Sequence, residues 1–108
     1  MNEESFIRSL QRIHGMRPYE SDADCVPSGE GELLVSSDSF SLQEDFLVGL
    51  NAWDMGRLMA YGACTDLLAC GASPKAMTQV WTCSATEPMS FYEQVATGVQ
   101  DVLSHYGM

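Results

Sequence analysis

Four aspartates stand where a carboxylate has to be accounted for. Asp22 and Asp24 fall in the polar stretch SDADCV, and Asp38 follows the β-type run ELLVSS. Asp66 interrupts a small and apolar segment, GACTDLLACGASP. A carboxylate taken out of water needs a hydrogen-bond donor, a cation or a metal. Magnesium bound with a phosphate ligand takes one or two carboxylates and completes its octahedron with phosphate oxygens and water. An aspartate at a strand end, with another on a helix facing that strand, supplies such a set. The alternative is structural: Asp38 makes an Asx turn, and Asp66 lies on a solvent-facing strip of its helix. Arg57, following Gly56 near a helix start, offers either a two-pronged contact to phosphate or an ion pair with Asp54 or another acid.

Periodicity supplies the elements that must position these residues. Phe6, Leu10 and Ile13 recur at helical spacing before Gly15 and predict a helix over residues 3–14. Residues 16–31 turn to Pro, Ser, Asp, Glu and Gly and read as a loop, with a short strand at 21–26. Residues 32–37 read as a strand after the turn signal PSGEG. FLVGL, residues 46–50, fits either a strand or an irregular core segment. Asn51 or Asp54 caps a helix over about residues 55–70. Met55, Leu58, Met59 and Gly62 form one stripe of it, and Ala60, Ala63, Cys64 and Leu67 another, so burial on most of its circumference is expected. Gly71 closes the helix and Pro74 prevents its continuation. Residues 75–84 alternate, Met77, Gln79 and Trp81 against Thr78, Val80 and Thr82, in the manner of a strand. Ser90 is read as the cap of a last helix reaching His105, with Phe91, Val95, Val99 and Val102 on one face and Gly107 as its stop. The expected order is helix, loop, strand, helix, strand, helix.

Composition narrows the partners. A chain of 108 residues fits one domain, and its 45% hydrophobic content is too high for a disordered one. Fifteen acids against five bases give a net charge of −10, which disfavours nucleic acid and anionic membranes. No apolar run approaches ~18 residues. The N-terminus, MNEESFIRSLQR, lacks the basic-then-apolar order of a secretory signal. A cytoplasmic chain is the expectation. Cys25, Cys64, Cys70 and Cys83 form no CxxC pair, and His14 and His105 stand far from them in sequence. Buried free thiols, Cys64 and Cys70 among them, are therefore expected rather than a zinc site or disulfides. Trp53 and Trp81 read as packing anchors, and neither histidine has the nucleophile partner of a triad.

SSDSF (residues 36–40), followed about fifteen residues later by MGRLMAYGACTDLLACGASP (residues 55–74), resembles the aminoimidazole ribonucleotide synthetase-related superfamily. Its members include that purine enzyme, thiamine monophosphate kinase, selenophosphate synthetase and the hydrogenase maturation factor that dehydrates a carbamoyl group. In the family's N-terminal domain a strand ends in Thr-Thr-Asp or similar. A helix then carries Gly-Lys/Arg, an Asn/Ser-Asp-Leu-Ala step and Gly-Ala-x-Pro. The corresponding residues here are Ser37-Asp38, Gly56-Arg57, Thr65-Asp66-Leu67-Leu68 and Gly71-Ala72-Ser73-Pro74. The likeness is nearest to the hydrogenase maturation branch, where the strand also reads Asp-Ser before an aromatic. It spans about residues 21–80, and the last helix suits it. Two places depart from the pattern: Thr65 replaces Asn or Ser, and RPYESDADCV has no glycine before Asp22.

The resemblance implies an α+β (mixed α/β) fold, a two-layer domain with a mixed β-sheet and helices on one face. It further implies a homodimer in which two sheets join into a barrel. Mg·ATP would meet Asp38 and Asp66, with Arg57 at the phosphates. Magnesium would be held by Asp24 (or Asp22), Asp38 and Asp66. Residues 1–108 are expected to form a single N-terminal ATP-binding-type domain without the family's C-terminal domain. ATP-dependent phosphoryl transfer would then need a partner chain, and the isolated chain is not expected to catalyse it. The alternative is a non-catalytic dimerisation or regulatory module that kept the fold without the active site.

Overall fold

A computed structural model of the chain describes residues 2–16, 29–31, 33–41 and 48–108. Among the described residues three helices account for the regular structure, and each starts and stops for a local reason. α1 (Glu3–Ile13) opens on a capping box: the Ser5 amide donates to Asn2 Oδ1 at 2.8 Å, and the Asn2 amide donates to Ser5 Oγ at 3.4 Å. Glu3 and Glu4 in its first turn and Arg12 in its last suit the helix dipole. Gly15, at φ 64°, ends it.

α2 (Ala52–Ala69) is capped by Asn51, whose side chain accepts from the Asp54 amide at 2.8 Å. Of the two cap candidates Asn51 is therefore the cap, and the helix begins three residues before the expected Met55. Its exit is a Schellman turn, with Gly71 at φ 77° and the Ala72 amide donating to Leu67 O at 3.0 Å. α3 (Met89–Tyr106) corrects the expected Ser90 cap. Pro88 holds the N-cap position, with no side-chain cap bond, and Ser90 already lies inside the helix. Proline pre-sets a backbone angle compatible with a helix start, so the chain turns in two residues early. Gly107, at φ 69°, closes α3 as expected.

α2 and α3 pack backbone against backbone. A Cβ on Gly56 would lie 1.9 Å from Val95 O, and one on Gly98 would lie 2.0 Å from Trp53 O. Each glycine thus lets the other helix in. Ala52, Gly56, Ala60 and Cys64 form the buried stripe of α2, one residue per turn. On α3, Val95, Ala96, Gly98, Val99, Val102 and Leu103 are buried. Ala60, Val99, Val102 and Leu103 form the core, covered by Tyr61, Met77, Tyr106 and Met108. The expected burial of α2 on most of its circumference does not hold: Leu58, Leu68 and Trp53 are exposed. A stripe of small side chains lets α3 sit close, and one narrow face is then enough. α1 joins α3 through Phe6, whose ring meets Trp81 edge-on at 5.4 Å and Tyr92 at 5.8 Å.

The expected two-layer α+β domain, with its mixed sheet, is not what forms. Among the described residues there is no strand, and therefore no sheet on which helices could lie or from which a barrel could close. Residues 33–37 and 75–84 are non-helical segments. The alternation expected for the second is real: Met77, Gln79, Trp81 and Cys83 are half-buried, and Thr78, Val80 and Thr82 are exposed. Alternation fixes faces, but a strand also needs a neighbouring backbone to accept and donate its ladder bonds. The two segments flank one groove without laddering across it. Of the loop and strand expectations, residues 17–28, Glu32, Phe46 and Leu47 lie outside the described residues; Val48 and Gly49 form a turn.

Candidate functional site

One of the acids of the expected site, Asp66, is tied to the stretch that carries another, Asp38. Ser36 Oγ donates to Asp66 Oδ2 at 3.4 Å, which ties the SSDSF stretch to α2 across thirty residues of sequence. Asp38, two residues on, accepts from the Ser39 amide at 2.8 Å. Both carboxylates are exposed. Asp66 leaves α2 on the side away from the buried stripe, the solvent-facing placement that its segment's composition allowed as the alternative. Thr65 beside it donates its hydroxyl to Gly62 O at 2.8 Å. Asp22 and Asp24 lie outside the described residues. Among the described residues no three His, Cys, Asp or Glu side chains gather as a metal site would.

Arg57 is placed elsewhere. Nine residues separate it from Asp66, roughly two and a half turns, so the two leave opposite sides of α2. Its Nε donates to Asp101 Oδ2 at 3.1 Å. Its guanidinium also lies 4.7 Å from the Trp53 ring centre and 5.6 Å from that of Tyr61. Of the two roles open to it, ion pairing is the one it plays here, with Asp101 on α3 rather than with Asp54. It lines a small hollow of about 200 Å³ with Leu50, Asp54, Leu58 and Tyr61.

Asp38 instead borders a groove of about 1070 Å³ between residues 33–40, α2 and residues 75–82. Met59, Ala63 and Leu67 make an apolar wall, and Ser36, Ser37, Asp38 and Ser39 a polar one. Lys75 also lines it and brings a positive charge that sequence reasoning did not single out. Its position directly after GASP was the available signal. Ser36, which links the two acidic stretches, was missed as well.

The thiols divide by burial. Burial pushes the Cys64 and Cys83 thiols above the ordinary cysteine range. Cys64 is buried, its Sγ 4.0 Å from Met108 Sδ, whereas Cys70 is exposed and corrects the expectation that both pack. Cys70 is the C-cap of α2 and lines the open groove. Among the described residues no helix is long and apolar enough to cross a membrane.

The family model "AIR synthase related protein, N-terminal domain" matches residues 20–108. No curated protein and no solved structure matches the chain. The matched span contains SSDSF, the whole of α2 with its Thr-Asp-Leu-Leu step, the GASP exit and α3. The chain belongs to the AIR synthase-related family, through its N-terminal domain.

Proposed function

We propose that the chain binds a magnesium–nucleotide, ATP by preference, at the edge of the groove that Ser36 and Asp38 line, with Asp66, bonded to Ser36, beside it. The observation that carries this reading is the Ser36–Asp66 hydrogen bond. It joins the two acidic stretches that the family match covers, although they lie on different elements. The donor set fits in kind: carboxylates and hydroxyls are hard oxygen ligands, and magnesium needs only one or two carboxylates when phosphate and water supply the rest. Asp38 and Asp66 would hold the cation, together with Asp24 (or Asp22). Lys75 would face the phosphates as a point charge. When bound, the cation would neutralise phosphate charge for phosphoryl transfer.

The chain's own residues orient and charge-balance the ligand. A second polypeptide, another copy or a chain carrying the rest of an active site, would have to close it. Leu33, Val35 and Val80 are 70%, 86% and 98% exposed and lie beside the groove, and such apolar surface is what an interface covers.

Titration calorimetry of ATP and ADP, with and without magnesium, tests this on the wild type, Asp38→Asn and Asp66→Asn. Magnesium-dependent heat in the wild type, reduced at least tenfold in affinity by either change, is expected. Wild-type protein that gives no such heat rules the reading out for this chain. One observation favours a second reading, a regulatory or dimerisation module without an active site: Arg57 is already committed to Asp101 and two aromatic faces. That reading predicts an oligomer without nucleotide binding.

A further inference from the structure

His14, which caps the C-terminus of α1, joins three parts of the molecule through uncharged partners. Its Nδ1 bonds Gln100 Oε1 of α3, and its Nε2 lies 3.2 Å from Gln79 Nε2. Gln79 Oε1 in turn accepts from Trp81 Nε1 at 3.0 Å, and Gln100 Nε2 donates to Ser104 Oγ at 3.1 Å. The order of donors in this row is determined from one end. The Trp81 indole can only donate, so the Gln79 group facing it must be the carbonyl oxygen. The Gln79 amide nitrogen then faces His14, and His14 Nε2 must accept. Nδ1 therefore carries the proton, Gln100 must present its oxygen, and its amide nitrogen is left to find Ser104. Every donor has an acceptor only while His14 is neutral and protonated on Nδ1.

We infer that His14 is a proton-sensitive latch that fastens residues 79–81 to α1 and α3. A second proton, on Nε2, sets an N–H against the Gln79 NH₂. Turning the Gln79 amide over does not repair this, because its NH₂ would then face the Trp81 N–H. Either way one donor meets another, and the contact opens. The charged groups on the surrounding elements do not offset the added charge. Arg12 of α1 is bonded to Glu93 of α3, Asp101 of α3 to Arg57, and Lys75 brings only more positive charge. His105 is an exposed member of the last turn of α3. The carbonyl end of α1 favours a cation but supplies no acceptor at Nε2. Gln79 and Trp81 line the groove, so release of the latch loosens that wall whatever the groove binds. Histidine is the side chain that takes up a proton between about pH 8 and pH 5.

Long-range proton–nitrogen NMR on the wild type at the alkaline end tests the starting state. A protonated Nδ1 with a bare Nε2 is expected, and a proton on Nε2 overturns the latch. Trp81 emission, isolated by Trp53→Phe, then reports release. It should shift to the red along a single-proton curve as the pH falls, and the shift should vanish in His14→Gln, whose amide does not titrate. An unchanged emission with His14 present, or the same shift in His14→Gln, overturns the proposal. Should His14→Gln fail to fold, the tautomer and the wild-type curve still decide it.

Discussion

The seam between α2 and α3 and the groove beside it are built from neighbouring faces of the same helices, yet they are held in opposite ways. At the seam two backbones touch, through Gly56 against Val95 and Gly98 against Trp53, and the side chains around them are small and buried. At the groove, residues 33–39 and 75–82 flank α2 around an open cavity, with Leu33, Val35 and Val80 open to water. The first region satisfies its chemistry within the chain. The second leaves carboxylates, hydroxyls and apolar side chains turned outward, the property that binding regions share with the less stable parts of a fold. Stability and binding are therefore expected to separate by region, and substitutions can test that separation.

The largest effect should come from the seam. Gly56→Ala or Gly98→Ala puts a methyl group onto a carbonyl oxygen and forces the helices apart, at about 3 kcal/mol or more in urea unfolding. A loss of less than about 1 kcal/mol would mean that the seam is not close-packed.

Next in size is the clamp on the seam's rim. Arg57→Ala removes a half-exposed ion pair and two ring contacts and should cost about 1 kcal/mol. In a double-mutant cycle with Asp101→Asn the two losses should not add. Full additivity would show that the pair is not energetically coupled.

A pH effect follows from Cys64. Its thiol is held above the ordinary range by burial, so the folded state keeps a proton that the unfolded state releases. Its stabilisation is complete below the ordinary thiol range. It is lost as the pH rises from that range through the raised folded value. Cys64→Ala should flatten this alkaline decline in stability, and an unchanged slope would assign it to other groups.

The smallest effect on stability is expected at the groove. Asp66→Asn should leave the unfolding free energy in urea within about 0.5 kcal/mol of wild type. The same change should remove magnesium-dependent nucleotide binding.

Features that depend on near neighbours in sequence were legible. The three helix stops, Gly15, Gly71 and Gly107, all adopt positive φ, and the alternating sets named in residues 75–84 do separate by burial, although no strand forms there. Features that depend on distant residues were not. Period-two patterning names a face without naming a partner backbone, so a sheet was expected where two unladdered segments lie. Two apolar stripes on α2 suggested burial on most of its circumference, because nothing in the sequence said that Gly56 would meet Val95 and Gly98 would meet Trp53 and let one stripe suffice. For Arg57 the sequence left phosphate and an acidic partner both open, and only the fold shows that the partner is Asp101, forty-four residues away, while Gly56 admits α3. Asp38 and Asp66 were singled out by residue type and company, and the Ser36 link between their segments emerged only from the fold.

Amide NMR mapping of nucleotide addition tests the central claim most directly. With ATP and magnesium together, the signals of residues 36–39, 65–67 and 75 should move. ATP alone should leave them nearly unchanged, and the seam residues 56 and 98 should stay still in both. Shifts centred on Arg57 and Leu50, or none in the presence of magnesium, would contradict the placement of the site at Asp38 and Asp66.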